Sequence, residues 1–413
     1  MSDKINTIDL FAGCGGLMDG FEKSGLYKTL ACVEWGKAPC ENLKKRLSEK
    51  WHYKNADDIV LRFDIRRSEE LFDGWTDDEL YGCSVGLDKI IGKNEVEIII
   101  GGPPCQAYSL AGRIRDDQGM INDYRNFLFE NYVDAVKHFK PKAFIFENVP
   151  GILSAKPTGH NVTDLIFKAF DDAGYIVSSD FSKTVVDFAE YGVPQNRKRV
   201  IILGLSKDTY GSQAKGLLEN FYNKILPAHK AKSVTVREAI AELPRLYPLE
   251  TDERIRGRRY SHTSNASLKN HIPRWHNERD RKIFALLATD IETGQNKYVS
   301  AQALKDLYTA LTGKTSNVHK YHVIRWDEQS NLIPAHLYKD GLRHIHPDPK
   351  QARSITVREA ARLQGFDDDY EFVGSQSDQF KMIGNAVPPK FSNILANCIY
   401  ELLFKEKLFD AFL

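Results

Sequence analysis

Short apolar runs rich in β-branched residues alternate with helix-spaced segments along the first 235 residues. The runs fall at residues 5–11, 29–33, 61–65, 96–100, 143–146, 175–179, 185–187 and 200–204. Val96-Glu97-Ile98-Ile99-Ile100 is representative. It is too short for a helix and almost continuously apolar, as a strand buried on both faces must be. Residues 125–139 follow a different period, with Phe127, Leu128, Tyr132, Val136 and Phe139 on one broad helical face. A further helical pattern begins at Ile166. Strands alternating with helices predict an α/β fold built on a doubly wound sheet.

Beyond about residue 230 the alternation stops. Thr235-Val236-Arg237-Glu238-Ala239 recurs as Thr356-Val357-Arg358-Glu359-Ala360. In each copy, Thr followed three positions later by Glu predicts a reciprocally capped helix start. The echo is one of local capping, not of a duplicated domain. Between the copies the chain is polar, with basic stretches at 254–260 and at Arg274-Trp275-His276. A last amphipathic segment runs through Leu403 and has the apolar density to pack back on the sheet. The expected division is a first domain of residues 1–235 and 380–413, and a smaller one of residues 236–379.

Composition narrows the picture without deciding it. With 57 Lys and Arg against 56 Asp and Glu, the net charge is +1. That argues against a basic tail and leaves any nucleic-acid contact to local patches. The six cysteines, at 14, 32, 40, 83, 105 and 398, include no CxxC pair. Their scatter fits neither a zinc site nor a disulfide framework and suits a reducing compartment. His344-Ile345-His346 lacks a third evident ligand, so these read as surface histidines and no metal is expected. No secretory signal is evident and no apolar run approaches membrane-spanning length, so a soluble cytoplasmic protein is expected.

The candidate chemistry sits where strands end. Gly101-Gly102-Pro103-Pro104-Cys105 stops the run at 96–100 abruptly and places a thiol just beyond it. Carboxyl ends of strands hold the ligand sites of open α/β sheets, so Cys105 is a candidate nucleophile. Free cysteine is also a common small core residue, and the turn alone leaves both readings open. The first run ends in Ala12-Gly13-Cys14-Gly15-Gly16-Leu17, where glycines allow close approach to a ligand. Glu34-Trp35 follows the second run, and Asp64 lies near the end of the third. An acid at the second strand tip suits a ribose hydroxyl, and the indole suits an adenine ring. Glu147 ends the run at 143–146, flanked by Phe146 and Val149, a setting for partial burial and a raised pKa. Gln195-Asn196-Arg197-Lys198-Arg199 precedes the last core run. It is either a solvated basic edge or a pair of guanidiniums over an anionic or carbonyl-bearing ligand. Residues 110–124, polar and punctuated by Gly112 and Gly119, are either a mobile active-site loop or a simple connector.

Taken in order, these motifs resemble the cytosine-C5 DNA methyltransferase family almost end to end. Asp9 to Gly16 is similar to its cofactor loop, Gly102-Pro103-Pro104-Cys105-Gln106 to its nucleophile motif and Glu147-Asn148-Val149 to its acid motif. Residues 195–199 fit its QxRxR pattern, and residues 353–366 and 384–389 its two closing motifs. Tyr108 stands where the family usually has phenylalanine. The resemblance implies an S-adenosylmethionine-dependent methyltransferase (Rossmann-like) sheet with a smaller target-recognition domain. It implies S-adenosyl-L-methionine held by Phe11, Gly13, Gly15, Gly16, Leu17, Glu34, Trp35, Asp64, Ile65, Pro104, Asn385 and Val387, with S-adenosyl-L-homocysteine as product and no metal. It also implies catalysis by Cys105, Glu147, Arg197 and Arg199 on a cytosine flipped out of double-stranded DNA, at a cost of ~a few kcal/mol. DNA contacts would come from Gln106, Ser109, Arg113 and Gln195, and from Arg256, Arg258 and Arg259 in the recognition region. A monomer is implied, with any cognate restriction endonuclease on a separate chain.

Three other readings compete. A same-fold enzyme acting on tRNA would keep Cys105 and Glu147, but the long stretch between Leu205 and Arg353 favours DNA. A catalytically silent DNA-binding regulator would need no thiol at a strand tip. A dinucleotide oxidoreductase would leave the PPC and QxRxR stretches unexplained.

Overall fold

The computed structural model describes residues 4–104, 128–156, 161–255, 257–264, 267–315 and 321–405. In chain order its strands are β1 (Ile5–Leu10), β2 (Tyr27–Glu34), β3 (Val60–Arg62), β4 (Trp75–Asp78), β5 (Gly82–Ser84) and β6 (Ile98–Gly101). They continue as β7 (Ala143–Asn148), β8 (Tyr175–Ile176), β9 (Val185–Asp187), β10 (Lys198–Ser206), β11 (Pro248–Ile255) and β12 (Arg258–His262). The central sheet runs β3-β2-β1-β6-β7-β10-β8, with β9 paired to β10. From β3 to β7 all neighbours are parallel, and β10 is antiparallel to β7, β8 and β9.

Both faces of this sheet are covered, which is why its strands read as unbroken apolar runs. Ala31 and Val33 of β2 enter one apolar cluster and Cys32 between them enters another. The first cluster takes in helices Leu128–Phe139 and Val162–Asp172, the second helix Lys37–Glu49. Tyr132, fully buried, donates its hydroxyl to the Ile145 carbonyl at 2.8 Å, which satisfies its one polar group inside the core. Helix Gly16–Lys23 packs backbone-close against Pro389–Leu403: a Cβ on Gly20 would lie 2.6 Å from the Pro389 carbonyl, and Asn393 donates to Gly20 O at 3.1 Å.

Contacts divide the chain into one unit of residues 1–192, 197–232 and 386–413 and another of 193–196 and 233–385. Residues 380–385, expected with the first domain, group with the second.

The second unit contains the β11–β12 hairpin and helices Glu278–Glu292 and Ala301–Thr312, which share a cluster including Ile283, Phe284, Leu287, Leu304 and Leu307. Both expected capping boxes form, at Thr235 with Glu238 and at Thr356 with Glu359. The second is tied to a buried ion pair, Arg353 Nη2 to Glu359 Oε1 at 2.6 Å and Nη1 to Oε2 at 2.7 Å. Histidines surround the pair. His271 Nδ1 meets Thr356 Oγ1 at 3.0 Å, His276 Nε2 meets Ser354 Oγ at 3.1 Å and His262 Nε2 meets the Gln351 carbonyl at 2.9 Å. His344 and His346, expected at the surface, are buried instead, at 1% and 2% exposure. The expectation failed because the groups that surround them come from distant sequence, as with Glu359, 3.5 Å from His346 Nε2. No helix among the described residues is long and apolar enough to cross a membrane.

This hub dictates a pH response. Burial first, and the charge of Arg353 with it, lowers His262 to about 4 and His346 to about 3, while burial and the neighbouring His262 lower His276 to about 3. These rings stay neutral in the fold, whereas the unfolded chain protonates them below about pH 6.5. Stability present above pH 6.5 is therefore lost as pH falls below it. Burial pushes the Glu359 carboxyl up, but Arg353 outweighs it and holds it well below the usual range. Its contribution is lost only below about pH 4.5, so within the hub the histidines act alone in the window between. The expected loss from pH 7.5 to 5.5 is about 1 kcal/mol per histidine. The buried carboxyls of Asp9, Glu34 and Glu147, raised by burial, act in the opposite sense over the same fall, so the rings are read directly. Imidazole NMR shifts between pH 7.5 and 5.5 check it: neutral rings throughout are expected, and titration near pH 6.5 would contradict neutral burial.

Candidate active site

At the first strand tip, Phe11 takes a positive φ of 56°, and Gly13 and Gly15 follow at 57° and 83°. Gly15 caps the helix Gly16–Lys23 from the left-handed region, which glycine enters without strain. A Cβ on Gly16 would sit 2.1 Å from the Val387 carbonyl, so this position requires glycine and joins two of the expected cofactor residues directly. Leu17 and Val387 are both buried. Glu34, at the end of β2, accepts from Gly13 N at 2.9 Å and Gly36 N at 2.8 Å. Burial pushes its pKa up against those amides, and each carboxylate oxygen still has a lone pair for a hydroxyl donor. Trp35 is 61% exposed, its indole free to meet a flat ligand. Asp64 lies two residues past β3 and is gripped by Arg66, Nε to Oδ1 at 2.9 Å, which holds its pKa down. Ile65 is a core residue at 6% exposure.

Sequence reasoning passed over Asp9 except as the first letter of the glycine motif. It is buried and feels the Glu34 charge, with Oδ2 accepting from Met18 N at 3.2 Å and no partner at Oδ1. Burial pushes its pKa well up. The legible signal was a carboxylate between Ile8 and Leu10 at the apolar end of β1.

The second group stands on β6, β7 and β10. Gly101 pairs with Phe146, so the turn leaving β6 starts beside the tip of β7 that carries Glu147. A Cβ on Gly102 would lie 2.7 Å from Glu147 Oε2, and Asn148 Nδ2 donates to the Pro103 carbonyl at 3.3 Å. Pro104 is half-buried at the end of that turn. Antiparallel pairing of β10 brings Arg199 Nε to 3.0 Å from Glu147 Oε1, with both side chains about nine-tenths buried. Burial pushes the Glu147 carboxyl up, while Arg199 and then Arg197 pull it down; the net shift is upward. Arg197 is 1% exposed and donates Nη2 to the Ala386 carbonyl at 3.1 Å. Cys105, Gln106, Ser109 and Arg113, with the rest of the 105–127 stretch, lie outside the described residues, as does Arg256.

In the second unit, Arg258 and Arg259 are exposed on β12, next to a tight turn at Gly257. Arg259 pairs with Asp252 at 3.0 Å and lies 4.4 Å over the Trp275 ring. One expected DNA contact is corrected, and one arginine of the basic stretches proves to be buried. Gln195, expected at DNA, is wholly buried: Nε2 donates to the Leu363 carbonyl and to Gln364, and Oε1 accepts from Ile333 N. Both ends of its amide are used inside the protein. Arg274 donates to the Leu337 and Tyr338 carbonyls, and burial lowers it to about 10. It braces the fold. Asn385 is exposed at the end of helix Gln376–Asn385. No cluster of metal-ligating side chains occurs among the described residues.

A doubly wound sheet with a glycine turn after β1 and an acid at the tip of β2 defines the Rossmann-like class of proteins, whose ligands bind at the strand tips. Within that class, the chain belongs to the C-5 cytosine-specific DNA methylase family, whose model matches residues 5–401. It is 35% identical to the type II methyltransferase M.Bpa9945I of Bacillus paralicheniformis, over 96% of this chain and 98% of that one. It is 31% identical to M.DdeI of Desulfomicrobium norvegicum, over 96% and 88%. The solved Entamoeba histolytica methyltransferase EhMeth shares the fold at a TM-score of 0.54 and 16% identity, over 97% and 99%. The protein is a DNA cytosine-5 methyltransferase.

The crowding at Gly102 yields a prediction. In Gly102→Ala the added methyl displaces only the flexible end of Glu147, so stability changes little. The shifted carboxylate lowers methyl transfer about ten- to hundredfold. Glu147→Gln removes the charge facing Arg199 and lowers it about a hundredfold or more. Tritiated-methyl incorporation into DNA, read beside thermal melting, checks both.

Proposed function

We propose that this protein methylates C5 of a cytosine flipped out of double-stranded DNA within one short recognition sequence, with S-adenosyl-L-methionine as donor. The observation that carries this reading is the buried Glu147–Arg199 pair set against Gly102, at the foot of the turn leading to Cys105. Bound in the glycine turn, S-adenosyl-L-methionine supplies an electrophilic methyl group. Glu34 accepts the ribose hydroxyls, Trp35 lies along the adenine ring and Asp64 faces its amino edge. Phe11, the glycines 13, 15 and 16, Leu17, Ile65, Pro104 and Val387 complete the walls. The orphaned Oδ1 of Asp9 fits a cationic amino group of the same ligand.

The carbon to be methylated is a weak nucleophile until C6 is attacked. Cys105, as thiolate, forms a bond to C6 and drives electron density toward C5. Negative charge builds on the ring, and Glu147 relieves it by a proton or hydrogen bond at N3. Its raised pKa supports that role near neutral pH. Arg199 fixes the Glu147 carboxylate and, with Arg197, faces the O2 side of the ring. After transfer, loss of the C5 proton and expulsion of Cys105 restore aromaticity. The second unit reads the sequence through Arg258, Arg259 and their hairpin. Both relatives named above are type II methyltransferases, which supports a modification role beside a separately encoded restriction endonuclease. The enzyme acts as a monomer in the cytoplasm.

Expression in a bacterial host free of DNA methylation, followed by base-resolution mapping of 5-methylcytosine, tests this. One short methylated motif is expected with the wild type and none with Cys105→Ser. A blank map from folded, cofactor-binding protein would refute DNA as the substrate and direct the assay to tRNA.

A further inference from the structure

Between β3 and β6 the chain makes a small β4–β5 hairpin that the sheet does not require. Its interactions converge on the segment that carries Asp64 and Ile65. Phe63 stacks on Trp75 with centroids 3.8 Å apart and meets Tyr81 edge-on at 5.1 Å. Arg67 lies 4.7 Å over Phe63 and reaches Asp78 Oδ2 at 2.6 Å. Asp78 also shapes the hairpin turn, accepting from Leu80 N and Tyr81 N at 2.9 Å each. Phe63, just before Asp64-Ile65, and Arg67, two positions after it, are thus both fastened to the hairpin.

Arg62 adds the second line of argument. Its Nε donates to the Trp35 carbonyl at 3.3 Å and its Nη1 to the Leu80 carbonyl at 3.1 Å. One guanidinium therefore spans the tip of β2 and the tip of the hairpin. Trp35 and Leu80 are the two most exposed large apolar side chains of the described residues, at 61% and 58%. Apolar side chains held bare on a rigid rim are suited to a flat ligand that covers them on binding.

We propose that the β4–β5 hairpin is the outer wall of the adenine subsite, with Leu80 contacting the ring from the side opposite the sheet. Arg62 is the positioning residue that sets Leu80 against Trp35. The inference rests on the cofactor reading given above and extends it to an element outside the recognised motifs. Asp78 keeps the wall in register by holding both the turn and Arg67.

Steady-state kinetics on full-length enzyme test it, with S-adenosyl-L-methionine and DNA varied separately. Leu80→Ala is expected to raise KM for S-adenosyl-L-methionine about fivefold, leaving kcat and KM for DNA within about twofold. Arg62→Gln should raise it about tenfold by releasing both carbonyls. Leu80→Met should restore most of the loss. Melting of the cofactor-free protein should move little in the Leu80 variants, since that side chain is exposed. Unchanged cofactor KM in both Leu80→Ala and Arg62→Gln would overturn the proposal, as would lowered melting with unchanged KM. A wild type that neither binds S-adenosyl-L-homocysteine in calorimetry nor methylates DNA would instead bring down the cofactor reading itself.

Discussion

Where β1 pairs with β6, the carbonyl of Leu10 would lie 2.4 Å from any Cβ on Gly101. That approach is open only to glycine, and it fixes how the two central strands end side by side. After β1 the chain turns into Gly16–Lys23, whose Met18 joins the cluster on one face; the helix that follows β6 in the sheet, Leu128–Phe139, joins the cluster on the other. Chains that part in this way leave a crevice at the strand tips, the usual ligand position in open α/β sheets. The glycine turn with Glu34 lies on one side of that crevice and Gly102 with Glu147 on the other. The glycine turn and Glu147 are therefore neighbours because of strand order, not because of any link between them in sequence.

The buried Glu147–Arg199 pair belongs to this geometry. Charges taken out of water cost stability unless closely matched. Here β10 runs antiparallel beside β7 and delivers the guanidinium to the carboxylate, so register performs the matching. A free carboxyl in that position would be protonated by burial alone, and a fully exposed pair would be pinned as a carboxylate. The partial compensation leaves a carboxyl whose pKa is raised although a guanidinium faces it.

Much of this was legible in the sequence, for a physical reason. Strands buried on both faces need unbroken apolar runs, and their tips need glycine, proline and short polar motifs. Ile98-Ile99-Ile100 and Gly102-Pro103-Pro104 therefore announce themselves. Helix caps are equally local, and both Thr–Glu boxes formed where expected. What stayed hidden depends on partners far away in the chain. Gln195 looked like a surface contact until Leu363 and Ile333 enclosed it, and His346 looked solvated until the Arg353–Glu359 hub closed around it. The β4–β5 hairpin escaped because Thr76-Asp77-Asp78 has no apolar alternation; aromatic stacking on Phe63 holds it, and stacking leaves no periodic trace.

The contact of Gly16 and Gly20 with residues 387–393 has a consequence for synthesis of the chain. Asn393 reaches Gly20 across 373 residues of sequence. At about 5–20 residues per second, a ribosome needs roughly 20 to 75 seconds to make that span. Throughout that interval the first helix lacks the helical surface that seats its glycines. A nascent polypeptide therefore holds its first strand and helix unfinished for most of its synthesis, and a product truncated before residue 387 never gains that packing partner.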